Sequence, residues 1–254
     1  MLEVEGLDAW YGRAQALFGV SFAVADGSCV ALVGRNGAGK STTVEAIMGL
    51  VPRLAGRVRY RGAELAGLAP HRIARAGIGW VPEQRRVFTG LTVAENLEVA
   101  RRPAPPGLRP WTPERLYALF PNLGAMTGRP AGRMSGGEQQ MLAVARTLMG
   151  NPRLVLLDEP TEGVAPIVVE EMVRAVLALK AEGVSLLLSE QNLAVAGRVA
   201  DRAVVLEKGE VRHEGTMRAL LDDPVLQRAH LGVPGEGLPG RFAGNPMESE
   251  GLSG

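Results

Sequence analysis

Hydrophobic positions along this chain change period several times, and each change predicts a new element. Within the first 27 residues Val20, Phe22 and Val24 alternate with small residues up to the turn Asp26-Gly27, the pattern of strands. Cys29 to Val33, Leu154 to Leu157 and Val184 to Leu188 are continuous apolar runs, which suit parallel strands buried on both faces. Helical spacing appears at Val44, Ile47 and Met48. It returns in an apolar stripe of Ile167, Val168, Met172, Val173, Val176 and Leu177, opened by Pro166 and closed by Gly183. Arg57 to Arg61 alternates charged and apolar side chains, as a strand with one wet face does, and Ile78 to Val81 predicts another strand. Pro70 to Ala76 predicts a short helix. From about 88 to 150 the pattern is mainly helical, broken by the exposed proline-rich loop Arg101 to Gly107, with a helix start at Thr112-Pro113. A last hairpin turns at Lys208-Gly209, and Asp223-Pro224 separates two short helices. Strands alternating with helices predict an α/β fold around a parallel sheet. The tail from about Gly232 is rich in Gly, Pro, Glu and Ser, a composition that predicts disorder over 232–254.

Composition narrows the function classes only slightly. The 254 residues are 46% hydrophobic, enough for one large domain or a domain with a subdomain. A formal charge of +1 gives no field that singles out nucleic acid, so none is expected as a partner. No apolar run approaches the roughly 18 residues of a membrane span, and the start Met1 to Glu5 lacks a signal peptide's basic and apolar regions. A cytoplasmic location is the expectation. Cys29 sits inside an apolar run and reads as a small buried hydrophobe, while His71, His213 and His230 are scattered without ligand spacing.

Chemistry concentrates at a few places. Gly34-Arg35-Asn36-Gly37-Ala38-Gly39-Lys40-Ser41 matches the phosphate-binding pattern G-x-x-x-x-G-K-S between a predicted strand and a predicted helix. Its glycines let backbone N–H groups face phosphates at a helix N-terminus, with Lys40 on the β- and γ-phosphates and the Ser41 hydroxyl on Mg²⁺. Asp158 and Glu159 follow the apolar run 154–157 at the ligand edge of the sheet; the first suits Mg²⁺, the second an attacking water. Ser135-Gly136-Gly137-Glu138 reads locally as a capping box, but two consecutive glycines allow close backbone approach to something, an anion being the alternative. Pro82 to Arg86 is a polar strand end. Trp10-Tyr11-Gly12 places an aromatic pair in a loop, where a ring could stack on a base or pack into the core.

Taken together these motifs resemble the ATP-binding subunits of ABC transporters over residues 1–231. The phosphate loop, the phrase Ser135 to Gln139 and the Asp158-Glu159 pair stand in that family's order. Val81-Pro82-Glu83, Arg85 to Phe88, Leu91-Thr92-Val93, Glu95-Asn96-Leu97, Gly163 to Pro166 and Glu190-Gln191-Asn192 are similar to the F-type ATPase subunits of branched-chain amino-acid importers, and in altered form to urea and amide importers. The resemblance implies an ABC-type P-loop ATPase: a RecA-like parallel-sheet core, an N-terminal antiparallel subdomain and a helical subdomain over about 88–150. It implies a head-to-tail pair, homodimeric or with a related G-type subunit. ATP would lie on Gly34 to Thr42 of one copy and be closed off by Ser135, Gly136, Gly137 and Glu138 of the other. Tyr11 would stack on adenine. Asp158 would hold Mg²⁺, Glu159 would act on the water, and Gln191 would take a place usually filled by histidine. The glutamine that senses metal falls on Glu83, with Gln84 one place later, and both stay candidates. Ala165 stands where the wider family carries an aspartate. The implied partners are two membrane permease subunits and an extracytoplasmic solute-binding protein. The implied location is peripheral, at the cytoplasmic face of the plasma membrane.

Overall fold

A computed structural model describes residues 1–231; the expectation of disorder over 232–254 lies outside the described residues. The chain opens with a hairpin, β1 (Leu2–Tyr11) against β2 (Ala14–Val24), turning at Gly12 with φ 61°. Alternation in β2 buries Val20, Phe22 and Val24 as the pattern predicts. Trp10 and Tyr11 lie inside β1, not in a loop, because the hairpin turn needs only the residues after them. With β4 (Arg53–Tyr60) and β5 (Ala63–Glu64) these strands form an antiparallel sheet of order β2-β1-β4-β5. Arg61 leaves the predicted strand and turns the chain with φ 52°.

The second sheet has the order β10-β9-β3-β8-β7-β6. Its centre is β3 (Cys29–Val33), β8 (Ser185–Glu190) and β7 (Leu154–Asp158), three parallel strands in which every residue is buried. Burial on both faces is why their sequences are nearly continuous apolar runs. The flanks are β6 (Ile78–Val81), β9 (Arg202–Glu207) and β10 (Glu210–Thr216), the last antiparallel through a hairpin at Lys208-Gly209. Helix α1 (Lys40–Ile47) lies between the sheets, packing Val44 and Ile47 against both.

Between β6 and β7 run α2's successors α3 (Val93–Ala100), α4 (Pro113–Leu119), α5 (Pro121–Gly124) and α6 (Gly136–Leu148), α2 itself (Pro70–Arg75) preceding β6. Thr112 caps α4 and Pro113 occupies its first turn. Helix α7 (Pro166–Ala181) buries Met172, Val173, Ala175, Val176 and Leu179. The predicted stripe was too wide: Ile167 and Leu177 are exposed and Val168 is half-buried. Ile167 lies five residues before Met172, about 140° around the helix from it, so it cannot share the core-facing side. α8 (Leu193–Val199), α9 (Met217–Leu221) and α10 (Pro224–Leu231) complete the described chain. No helix among the described residues is long and apolar enough to cross a membrane.

Candidate nucleotide site

The phosphate loop leaves β3 at Val33 and becomes α1 at Lys40. A Cβ at Gly34 would overlap the Leu206 carbonyl, and Gly37 and Gly39 hold φ of 78° and 107°, so each is a place where a side chain is excluded or strained. Arg35, Asn36 and Gly37 are exposed at the loop's crest and Ala38 is buried beneath it. Lys40 is 3% exposed, its Nζ donating to the carbonyls of Gly34 (2.8 Å) and Arg35 (3.1 Å) and lying 3.0 Å from Glu159 Oε1. A cleft of about 380 Å³ opens over the loop, lined by Gly37, Gly39, Lys40, Ser41 and Thr42 together with Phe18 and Lys208.

Sheet register brings the second group beside the first. Val33 pairs with Glu190 and Asp158 with Ser189, so the ends of β3, β8 and β7 form one edge. Asp158 Oδ1 accepts from Ser41 Oγ at 3.0 Å and from Ser189 Oγ at 2.8 Å. Burial pushes the Asp158 carboxyl above its ordinary range, the two hydroxyls opposing that shift. A hydroxyl and a carboxylate oxygen converging beside the loop are the hard-oxygen donors Mg²⁺ takes, so the residues present fit that ion. Glu159 sits in the left-handed region with φ 45°, an uncommon conformation for a residue with a Cβ, and its N–H donates to the Ser189 carbonyl at 3.0 Å.

A further cleft of about 310 Å³ continues from Glu159, lined by Thr161, Glu162, Glu190, Gln191 and Asn192. It brings the predicted Gln191 to Glu159, with Gln191 exposed at its wall. The hydrogen bond to Glu159 lifts the Glu162 carboxyl to about 7, with the Glu159 charge adding to it. Burial lifts Glu190, which accepts from the Thr161 hydroxyl and, at 3.2 Å, from the Asn192 N–H. Glu83 and Gln84 are both exposed, yet the Glu83 charge raises Asp158 and Glu162, which places its carboxylate within electrostatic reach of that edge. Gln84 contributes a carbonyl, accepting from Arg86 N–H at 2.6 Å. Of these groups, sequence reasoning missed Ser189, Glu190 and Glu162. Their signal was position: the first two close the apolar run 184–188 at the sheet's ligand edge, and the third stands one turn after Glu159.

Ser135 and Glu138 form a full capping box at the start of α6. Ser135 Oγ accepts from Glu138 N–H (3.3 Å) and Glu138 Oε2 from Ser135 N–H (2.6 Å). The paired glycines have an explanation within the chain. A Cβ on Gly136 would lie 2.5 Å from an Arg85 guanidinium nitrogen, and one on Gly137 would overlap the Val168 side chain. Ser135, Gly136 and Gly137 line neither cleft over the phosphate loop or Glu159. Tyr11 is 42% exposed at the end of β1, outside the lining of the loop's cleft, with its hydroxyl donating to Glu45 of α1. Burial lifts that hydroxyl to about 12, the Glu45 bond adding to the shift.

The profile of the family described as ABC transporter matches residues 17–162, which includes the phosphate loop, the capped glycine pair and the Asp158-Glu159 edge. The chain belongs to the ABC transporter ATP-binding family. Among its relatives, the high-affinity branched-chain amino acid transport ATP-binding protein BraG of Pseudomonas aeruginosa is 44% identical, covering 91% of this chain and 100% of BraG. The lipopolysaccharide export system ATP-binding protein LptB of Acidithiobacillus ferridurans is 33% identical over 91% of this chain and 97% of its own length. A nucleotide-free ATP-binding cassette superposes with TM-score 0.76 at 28% identity, covering 92% of this chain and 99% of that one. A dimeric cassette in a post-hydrolysis state, bound to ADP and Pi, superposes with TM-score 0.74 at 25% identity, covering 86% and 99%. This ABC ATPase therefore has the cassette fold and is an ATP-hydrolysing enzyme.

Proposed function

We propose that this ABC ATPase powers uptake of branched-chain amino acids through separate membrane permease subunits, fed by an extracytoplasmic solute-binding protein. The observation that carries the substrate is the 44% identity to BraG along that protein's whole length, against 33% to LptB. The unit is residues 1–231, with 88–150 as its helical part, working as a head-to-tail pair at the cytoplasmic face of the plasma membrane. The paired subunit is a second copy or a related G-type ATPase. Within the 83–97 segment, exposed Phe88 with the Arg146 guanidinium over its ring is the feature that favours this segment as the docking face for the permeases.

ATP is the substrate. Backbone N–H groups of Gly34 to Thr42 and the Lys40 ammonium would bind its β- and γ-phosphates, with Tyr11 stacked on adenine and Ser135 to Gly137 of the partner copy closing the far side. Ser41 and Asp158 would hold Mg²⁺, which supplies charge neutralisation on the phosphates. Glu159 accepts the proton of the attacking water as its oxygen bonds to the γ-phosphorus, and the bond to the ADP oxygen breaks. Gln191 orients the γ-phosphate or the water with a neutral amide, which can donate but carries no charge. Ser189 fixes the Asp158 carboxylate, and Lys40, which pairs with Glu159 in this structure, would exchange that partner for the phosphates.

Reconstitution with its permeases and binding protein in proteoliposomes tests the reading. ATP-dependent accumulation of labelled leucine is expected. Turnover stimulated only by urea or amides, or by lipopolysaccharide with an export partner, would move the substrate elsewhere.

A further inference from the structure

A further cavity shares no lining residue with the clefts over the phosphate loop and Glu159. It is an open concavity of about 600 Å³ between the β4–β5 turn, the end of α2 and the proline-rich loop, and four arginines line it: Arg61, Arg75, Arg102 and Arg153. No aspartate or glutamate is in that lining, and among the described residues none of the four makes an ion pair within 4 Å. Asp26 and Arg153 both act on the Tyr60 hydroxyl, so Asp26 is an acidic group near this region, but it stands outside the cavity wall. Four arginines around one concavity with no carboxylate in its wall leave it a local excess of positive charge, although the chain as a whole is close to neutral.

Hydrogen bonds tie the backbone that carries them to the neighbouring elements. Arg153 leads into β7, its N–H donating to the Gly77 carbonyl at 2.9 Å and its carbonyl accepting from Ser185 at 3.0 Å. Arg102 is fixed through its N–H to the Met149 carbonyl (3.1 Å) and its carbonyl to buried Asn151 (2.7 Å). The Arg153 side chain reaches the Pro106 carbonyl at 3.3 Å, tying the proline-rich loop to the rim. Arg61 holds a left-handed turn, its N–H donating to the Met1 carbonyl at 2.8 Å, and Arg75 ends α2. The site is separate from the ATP edge: Arg153 precedes β7 and Glu159 follows it, six residues of extended chain or about 20 Å apart.

We infer that this arginine-lined cavity binds a multiply charged phosphate anion. Guanidinium forks pair with phosphate oxygens in bidentate fashion, four of them balance a ligand of several negative charges, and the volume lies within the range of small-molecule sites. The ligand chemistry is a cluster of phosphate oxygens, supplied either by a free polyphosphate in solution or by the headgroups of an anionic lipid surface.

Full-length protein carrying Lys40→Ala, which weakens phosphate binding at the ATP loop, is titrated calorimetrically with inorganic tripolyphosphate and, separately, co-sedimented with vesicles of phosphatidylglycerol and phosphatidylcholine. Binding to at least one probe is expected, weakening with added salt and falling about tenfold or more in Arg61→Gln/Arg75→Gln. Both side chains are exposed and carry no side-chain bond, so the double variant keeps the fold; Arg102→Gln is a second variant expected to act in the same direction. Tripolyphosphate binding assigns a soluble ligand, and sedimentation alone assigns a lipid surface. No binding to either probe, or binding unchanged by both arginine variants, overturns the inference. ATP turnover of the Arg61→Gln/Arg75→Gln protein with Lys40 intact is expected to be unchanged, so failure of this site and failure of the ATPase reading are told apart.

Discussion

Lys40 and Glu159 face each other at 3.0 Å inside the fold, 3% and 9% exposed, and that pair joins the phosphate loop to the carboxylate edge. The ion pair puts the two predicted groups in direct contact at the edge of the loop's cleft. Around it the carboxyls differ in charge state. Glu162, lifted to about 7 by Glu159, ionises only as pH rises through neutrality. Its proton is bound more tightly folded than unfolded, so stability attributable to it is present at low pH and falls as pH rises toward and through 7. The loss begins above the ordinary value of 4.5, so Glu162→Gln should raise the melting temperature at pH 8 by about 1–2 °C and leave it nearly unchanged at pH 4, the size being small because Glu162 is solvent-screened; differential scanning calorimetry at the two pH values checks it. Tyr11 offers a second test at this scale. Tyr11→Ala should weaken ATP binding by roughly tenfold, the size of one stacking contact, whereas Tyr11→Phe, which keeps the ring and loses the hydroxyl's bonds to Glu45 and Thr42, should bind nearly as wild type. That Lys40 and Ser41 lie beside Asp158 and Glu159 was legible in the sequence, because the loop's spacing places the first two at the helix start and the end of the apolar run 154–157 places the others at the sheet edge. Glu162, Ser189 and Glu190 were not, because only the register between β7 and β8 sets them beside that pair.

The apolar runs located β3, β7 and β8 to within a residue or two, since a strand buried on both faces leaves little freedom in its composition. Where one face is wet the pattern is weaker. Arg61 reads as strand but turns, and Ile167 and Leu177 read as core but face solvent, because hydrophobicity alone does not say where a helix loses contact with the sheet. The glycine pair at α6 is a case in which local reading found the fact and not its nearest cause. Gly137 packs against Val168 of α7, so the start of α6 and the start of α7 are locked together. Gly137→Ala should destabilise by about 1–3 kcal/mol through overpacking, and adding Val168→Ala should recover most of the loss; urea unfolding of the two variants measures it.

For the molecule as a whole, the phosphate loop and Ser135 stand apart within one chain: Ser135, Gly136 and Gly137 line neither cleft at the nucleotide edge. On the proposed head-to-tail reading, a second chain closes the ATP site. Ser135→Arg should lower ATP turnover of the assembled pair by about 100-fold or more, the scale of losing a transition-state donor, while nucleotide binding to the single chain at Gly34 to Ser41 persists. Equilibrium binding of a labelled ATP analogue, alongside phosphate release, separates the two effects. The measurement closest to the central claim is single-turnover hydrolysis by Glu159→Gln, which keeps the side-chain shape and removes the proton acceptor. ATP is expected to bind with unchanged affinity while the rate of γ-phosphate cleavage falls by about 100-fold or more. A cleavage rate equal to wild type would contradict Glu159 as the group that takes the water's proton.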